Sequence, residues 1–294
     1  MTNVIGNEVG LSTFVLASPF TDNDAASFDR VADMGYDLIE VCIEDPSLLS
    51  ANWIAEQASR TGLAVSICGA FGPGRDISAA DAETREGALH YLKTCVDFAA
   101  TVGSPHVAGP MYAVTGGPPM RDEAQRVEKR SRAALGLGLV ADYAAGFGVR
   151  LAIEPLNRFE TDLVNTVEQG IELCGLIDRK NVGLLIDTFH MNIEEKNIGD
   201  AVRAAGDLVF HVQVSENDRG TPGSGHIPWE EFFLSLQDIG YGGPLVVESF
   251  LPTVQEIARA VSLWRPVAAS MDELAIDGLA FVRSSLEPSQ DWVI

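Results

Sequence analysis

Short runs rich in Val, Ile and Leu alternate along this chain with longer segments in which apolar residues recur every three and four positions. The runs predict strands near 11–17 (LSTFVLA), 37–42 (DLIEVC), 63–69 (LAVSICG), 105–109, 149–155, 182–187, 208–214 and 244–249. The amphipathic stretches predict helices over 24–34, 50–61, 82–102, 122–147, 166–179, 194–205, 229–239 and 253–264. Strands that read as nearly continuous apolar runs are covered on both faces, which is the pattern of a parallel sheet under helices. Eight strands in strict alternation with eight helices fit a (β/α)8 TIM barrel, an α/β fold, better than an open doubly wound sheet. The open sheet would carry a G-x-G-x-x-G turn from strand to helix, whereas GLGLV at 136–140 falls inside a helical pattern.

Length and charge narrow the setting. A chain of 294 residues suits one closed barrel of about 250 residues plus an added segment, so 1–294 reads as a single domain with 265–294 as a C-terminal helical extension. The 42 acidic against 20 basic residues give a formal charge of -22. That field repels phosphate backbones and anionic membrane surfaces, so nucleic acid and membranes are not expected partners. No apolar run approaches the roughly 20 residues that a bilayer requires. Cys42, Cys68, Cys95 and Cys174 lack C-x-x-C spacing, and no basic segment followed by an apolar stretch opens the chain. The expectation is a reduced, cytoplasmic protein with buried thiols.

Acidic and amide side chains stand where the strand-like runs meet turn-rich loops. Glu154 closes VRLAIEP, Asp187 closes VGLLIDT, Gln213 lies in VFHVQVSE and Glu248 closes PLVVES. The long connections AFGPGRDISAAD, GPMYAVTGGPPM and SENDRGTPGSGHIPW leave the same ends of their strands, the face on which barrel enzymes carry their active sites. Taken singly, an acidic residue at a strand end meets solvent or caps the next helix. Three carboxylates gathered in one place repel, and keeping them ionised at neutral pH takes a cation or a strong pKa shift. A hard divalent cation with oxygen ligands is the simpler arrangement. His211 and Gln213 lie two apart and face the same side of their strand, so either can complete the set. An amide oxygen suits Mg2+ or Mn2+, which favours Gln213 and leaves His211 one layer below as a core histidine. Glu160 and Arg158 follow Glu154 in EPLNRFE, His190 follows Asp187 in IDTFH, and Arg219 lies in the loop after the seventh strand. An exposed loop histidine and a surface counter-charge are the plainer readings of His190 and Arg219; their place on loops leaving the ligand-bearing strands favours function.

The stretches AIEPLNRFETDLVNT, LLIDTFHMNIEE, HVQVSENDRGTPGSGHIPW and VVESF, with CGAFGPGRD earlier, resemble the xylose-isomerase-like barrels. Within that superfamily the resemblance is to the ketose 3-epimerases typified by D-tagatose and D-psicose 3-epimerase. It runs over most of the chain and is strongest from about 149 to 250. It implies Glu154, Asp187 and Glu248 as metal ligands, Glu154 and Glu248 also as the acid/base pair, and Glu160, His190 and Arg219 as residues that hold sugar hydroxyls. Where these epimerases read H-x-H, this chain reads H-x-Q at Gln213, as hydroxypyruvate isomerase and its relatives do. The opening GLSTFVLASPF lacks a clear match to their first-strand region, which leaves Phe14 as a candidate substrate contact. The resemblance further implies Mn2+ or Mg2+, with Co2+ also suitable, a small-molecule sugar substrate, and a homodimer or homotetramer.

A proton beside a carbonyl is too weakly acidic for a carboxylate to remove unless the enediolate is stabilised, which a chelated divalent cation does. Return of a proton to the far face of the same carbon is 3-epimerisation; return to the neighbouring carbon interconverts aldose and ketose. The leading expectation is epimerisation at C3 of a free ketose or related keto sugar through a cis-enediolate. No Gly-rich phosphate cradle follows the last two strands, which favours an unphosphorylated substrate. An aldose–ketose isomerase and a lyase acting on 3-keto glycosides with a partner subunit remain alternatives. A multi-zinc nuclease, which would need more than the five histidines present, and a binding protein without turnover rank below them.

Overall fold

The computed structural model describes residues 7–117, 122–254, 258 and 261–287. Its strands are β1 (Val9–Ser12), β2 (Leu38–Ile43), β3 (Ala64–Gly69), β4 (His106–Gly109), β5 (Arg150–Ile153), β6 (Val182–Asp187), β7 (Val209–Val214) and β8 (Leu245–Val247). They run parallel, pair in sequence order, and close when β8 returns to β1. The helices are α1 (Ala25–Met34), α2 (Ala51–Thr61), α3 (Ala82–Val102), α4 (Glu123–Ala145), α5 (Val167–Ile177), α6 (Thr188–Glu194), α7 (Ile198–Ala205), α8 (Trp229–Asp238) and α9 (Met271–Leu286). The expected TIM barrel is the observed fold, and GLGLV at 136–140 lies inside α4.

Successive strand residues face opposite sides, and the two faces have different chemistry. The outward residues, such as Ile39, Val41, Ile67, Val107, Leu151 and Val212, join the helices in one continuous apolar cluster. Inward, Cys42, Cys68, Ala108, Ala152 and Leu185 make a separate small cluster. The inward positions beside it are polar and buried: Ser12, Glu40, Ser66, His106, His211 and Gln213. The apolar outer layer holds the barrel together, which leaves its interior free to carry hydrogen-bonding groups.

Three segments differ from the sequence expectation. The strand expected over 11–17 starts at Val9 and stops at Ser12. Ser12 Oγ accepts the N–H of Phe14 and opens a 3-10 turn over Thr13–Val15, while Thr13 Oγ1 accepts the N–H of Cys42 at 3.0 Å. Local hydroxyl bonds of this kind compete with the strand ladder. The helix expected over 194–205 starts at Ile198, where Asn197 caps α7, and an additional helix, α6, precedes it because Asp187 caps a turn directly after β6. The helix expected over 253–264 falls partly outside the described residues; within them Ala258 and Leu263 pack with Phe250.

Of the C-terminal extension over 265–294, the described part carries α9, which sets Leu274, Ala275 and Val282 into the main apolar cluster. The Tyr36 hydroxyl donates to the Ala275 carbonyl at 2.6 Å and ties α9 to the segment before β2. Among the described residues no helix is long and apolar enough to cross a membrane.

Candidate active site

Two of the predicted carboxylates stand one residue beyond their strands, and backbone bonds hold them there. Glu154 follows β5, and its N–H donates to the Gly109 carbonyl at 3.1 Å. Gly109 has φ +123°, and a Cβ there would come within 2.9 Å of the Gly69 carbonyl oxygen, so only glycine lets β4 end in this shape. Glu248 follows β8, and its N–H donates to the Val214 carbonyl at 3.1 Å. Asp187 ends β6 and pairs in register with Gln213 of β7. Four consecutive strands therefore deliver these side chains to the C-terminal mouth of the barrel.

All four are buried, with relative exposures of 5% for Glu154, 1% for Asp187, 1% for Gln213 and 4% for Glu248. Donor atoms of Glu154, Asp187 and His190 lie within 4.8 Å of one another and form a group that could hold a metal ion. Gln213 Nε2 donates to Glu40 Oε1 at 2.7 Å and to Glu248 Oε1 at 3.0 Å, which identifies that end of the amide as the nitrogen. Its Oε1 is buried and has no hydrogen-bond partner among the described residues. Carboxylates beside an orphaned amide oxygen make a donor set that fits a hard divalent cation. His211, the alternative fourth ligand, has its Nε2 only 2.5 Å from Glu40 Oε2, one layer deeper in the barrel.

Arg219 and His190 complete the centre. Arg219 Nη1 donates to Asp187 Oδ2 at 2.7 Å, to Glu248 Oε2 at 3.0 Å and to Ser215 Oγ at 3.1 Å. Its guanidinium lies 4.0 Å from the centre of the Phe189 ring, and its backbone has φ +64° with the carbonyl held by Ser249 Oγ at 2.6 Å. His190 Nδ1 accepts the Asn157 N–H at 3.0 Å, which places the proton of the neutral ring on Nε2, 3.3 Å from Glu154 Oε1. Arg219 Nη2 approaches the same Nε2 at 3.1 Å. Glu160 stands one step back: its Oε1 accepts from Asn157 Nδ2 at 2.8 Å, and that nitrogen lies 2.8 Å from His190 Nδ1.

The protonation tendencies diverge across the centre. Burial pushes Glu154 up, against the pull of His190. Burial, with Asp187 and Glu154 nearby, pushes Glu248 well above the usual carboxylate range despite Arg219. Burial acts on Asp187 too, but Arg219, His190 and the Phe189 N–H outweigh it and hold that carboxyl low. For His190 burial favours the neutral ring, while the Glu154 hydrogen bond and the Asp187 charge prevail and raise it. One site therefore holds two carboxyls suited to proton exchange beside one that stays ionised.

The structure also brings in residues that sequence reasoning passed over and leaves out one that it considered. Glu40 is fully buried under Gln213; a single charge inside the apolar run LIEVCI was its signal. Asn157, the link between Glu160 and His190, gave none beyond its place in EPLNRFE. Arg158 turns away and pairs with Glu194 at 2.9 Å. Phe14 packs against Phe250 with ring centres 5.1 Å apart and borders the small interior cluster. His90 and His226 are exposed.

A closed (β/α)8 barrel with buried carboxylates, a histidine and an arginine at its C-terminal mouth defines a class of barrel enzyme, and the chain belongs to the xylose isomerase-like TIM barrel family, which it matches over residues 28–282. It is an enzyme of the isomerase class, as its curated relatives are. It is 34% identical over 268 residues to a D-psicose 3-epimerase of Agrobacterium fabrum, covering 87% of this chain and 91% of the relative. It is 32% identical over 282 residues to a probable ketose 3-epimerase of Synechocystis sp., covering 95% and 96%. A crystal structure of D-allulose 3-epimerase from Methylomonas sp. in complex with D-allulose superposes with a TM-score of 0.88 at 28% identity, covering 95% of this chain and 97% of that one.

Proposed function

We propose that this protein is a divalent-metal-dependent sugar epimerase that inverts C3 of a free ketose by removing and returning a proton through a cis-enediolate. The observation that carries the reading is the pairing of Glu154 and Glu248, two buried carboxyls with raised pKa, around a centre that also holds the partnerless Gln213 oxygen. β5 and β8 lie three strands apart in the ring, so the two carboxyls reach the centre from different sides. One removes the proton from its face of the sugar carbon, and the other, protonated, returns one to the opposite face. Their raised pKa values bring the protonated form of each carboxyl within easier reach than at an exposed carboxylate.

Glu154, Asp187, Gln213 and Glu248 are the residues that would hold Mn2+ or Mg2+, and their donors also accept Co2+. The bound cation supplies Lewis-acid stabilisation of the negative charge that develops on the sugar oxygens. His190 and Arg219 hold the sugar oxygens in the orientation the proton transfer needs. Glu160 acts at one remove by fixing Asn157, and Asn157 fixes the His190 ring. Arg219 is already committed to two carboxylates, which supports an unphosphorylated substrate. The two relatives described above, a D-psicose 3-epimerase and a probable ketose 3-epimerase, support the same substrate class.

The test is product NMR after incubating the Mn2+- or Mg2+-loaded enzyme in D2O with free ketoses, aldoses and 3-keto glycosides. The expected result is deuterium at ketose C3 together with the epimeric sugar. Label at C1 or C2 with an aldose product would instead make the enzyme an aldose–ketose isomerase. Release of an aglycone from a keto glycoside without exchange into free sugars would make it a lyase.

A further inference from the structure

Below the carboxylates at the mouth lies another, Glu40 of β2, with no exposure to solvent. Its hydrogen bonds reach one residue of the proposed metal set and no other. Oε1 accepts from Gln213 Nε2 at 2.7 Å; Oε2 lies 2.5 Å from His211 Nε2 and accepts from Ser66 Oγ at 3.2 Å. Ser66 Oγ is in turn 3.0 Å from His106 Nε2, and the His106 and His211 rings stand 4.4 Å apart. Glu40 is thus braced on the side away from Gln213 by a buried network that leaves its carboxylate little freedom to rotate.

A glutamine amide can turn either end toward a neighbour, and the two ends have opposite effects on a cation. The oxygen binds it, and the NH2 repels it. With Nε2 given to Glu40 and Glu248, only Oε1 remains for the centre, and that atom is the one left buried without a partner. Glu248 exchanges protons in the proposed reaction, whereas Glu40 lies below the reacting centre, so Glu40 is the acceptor that stays constant. We infer that Glu40 is a positioning residue that locks the Gln213 amide with its oxygen, and not its nitrogen, turned to a divalent cation. The inference rests on the metal reading proposed above.

The experiment is Mn2+ titration followed by the EPR signal of the free ion, on the wild type, Glu40→Leu, Gln213→Ala and the double variant, with thermal unfolding of each metal-free protein beside it. Loss of a group that orients a ligand weakens metal affinity by about 10- to 100-fold. Glu40→Leu is expected to show that loss, and in the Gln213→Ala background the same substitution is expected to change affinity by less than about 3-fold, because coupled positions are not additive. Glu40→Gln keeps the shape of the side chain but only one acceptor oxygen for three donors, and an intermediate loss is expected. It takes the place of Glu40→Leu in the cycle where the leucine variant does not fold. Tight binding by the wild type with undiminished affinity in the Glu40 variant overturns this inference alone, as does an equal loss with and without Gln213. No Mn2+ binding by the wild type overturns the metal reading and the inference together.

Discussion

Arg219 Nη1 lies 2.7 Å from Asp187 Oδ2, and both side chains are almost wholly shielded from water. The same nitrogen reaches Glu248 Oε2 at 3.0 Å, so a single guanidinium compensates two buried carboxylates. Removing one partner of a buried ion pair leaves an uncompensated charge and costs about 3–5 kcal/mol. Arg219→Gln is therefore expected to lower the stability of the metal-free protein by about 3 kcal/mol in urea unfolding. Because added cation then supplies the missing charge, Mn2+ should raise the Tm of the variant by more than that of the wild type. Steady-state kinetics should show a raised KM for the sugar. Unchanged kinetics would leave Arg219 as a counter-charge alone, and an unchanged stability would mean that it compensates neither carboxylate.

Glu154→Gln and Glu248→Gln test the proton-transfer pair. Each is expected to lower kcat by about 100- to 10,000-fold, the usual contribution of a positioned acid or base, while far-UV circular dichroism remains that of a folded barrel. A variant that keeps one carboxyl can still remove and return a proton on a single face. In D2O each variant should label at C3 only the ketose whose C3–H faces the remaining carboxyl, without forming the epimer. Near-normal epimer formation by either variant would remove that residue from the pair.

Gln213→Ala and His211→Ala separate the two candidates for the fourth ligand. The His211 Nε2 faces Glu40 at 2.5 Å and its Nδ1 is buried without a partner, so its truncation disturbs the interior network. Gln213→Ala removes a buried amide oxygen that meets no donor among the described residues. Calorimetric titration with Mn2+ should show the larger loss of affinity for Gln213→Ala, and thermal unfolding of the metal-free proteins the larger loss of stability for His211→Ala. A larger affinity loss in His211→Ala would reassign the ligand.

The fold was legible because β/α alternation leaves a strong periodic signal and the outward strand residues are almost all apolar. The carboxylates at the mouth were legible because each ends an apolar run, where a charge stands out against its neighbours. Glu40 also stands out as a charge in an apolar run, but it sits in mid-strand and its partners Gln213 and His211 lie 173 and 171 positions away, so nothing local marked its role. Asn157 was hidden because its function is to connect two polar residues, and no local pattern encodes that. The end of β1 was misread because Ser12 and Thr13 break the strand with side-chain hydrogen bonds, while their neighbours in LSTFVLA have the composition of a strand.

The buried His106 gives the metal-free protein a pH dependence with a definite sign. Burial, then the neighbouring His211 and Arg150, hold its pKa well below the ordinary value of about 6.5. Its Nε2 meets Ser66 Oγ at 3.0 Å, and its Nδ1 has no partner that would accept a second proton. Above about pH 6.5 the ring is neutral both folded and unfolded, and its contribution to stability is fully present. As the pH falls below that value, the unfolded chain takes up a proton that the folded chain refuses. Stability is then lost toward the depressed folded pKa, at up to about 1.4 kcal/mol per pH unit. His106→Gln removes the titrating ring while it keeps a polar group beside Ser66. Urea unfolding at pH 7, 6 and 5.5 should therefore give the variant a shallower fall in stability than the wild type. Equal slopes would mean that His106 takes up its proton in the folded protein as readily as in the unfolded chain.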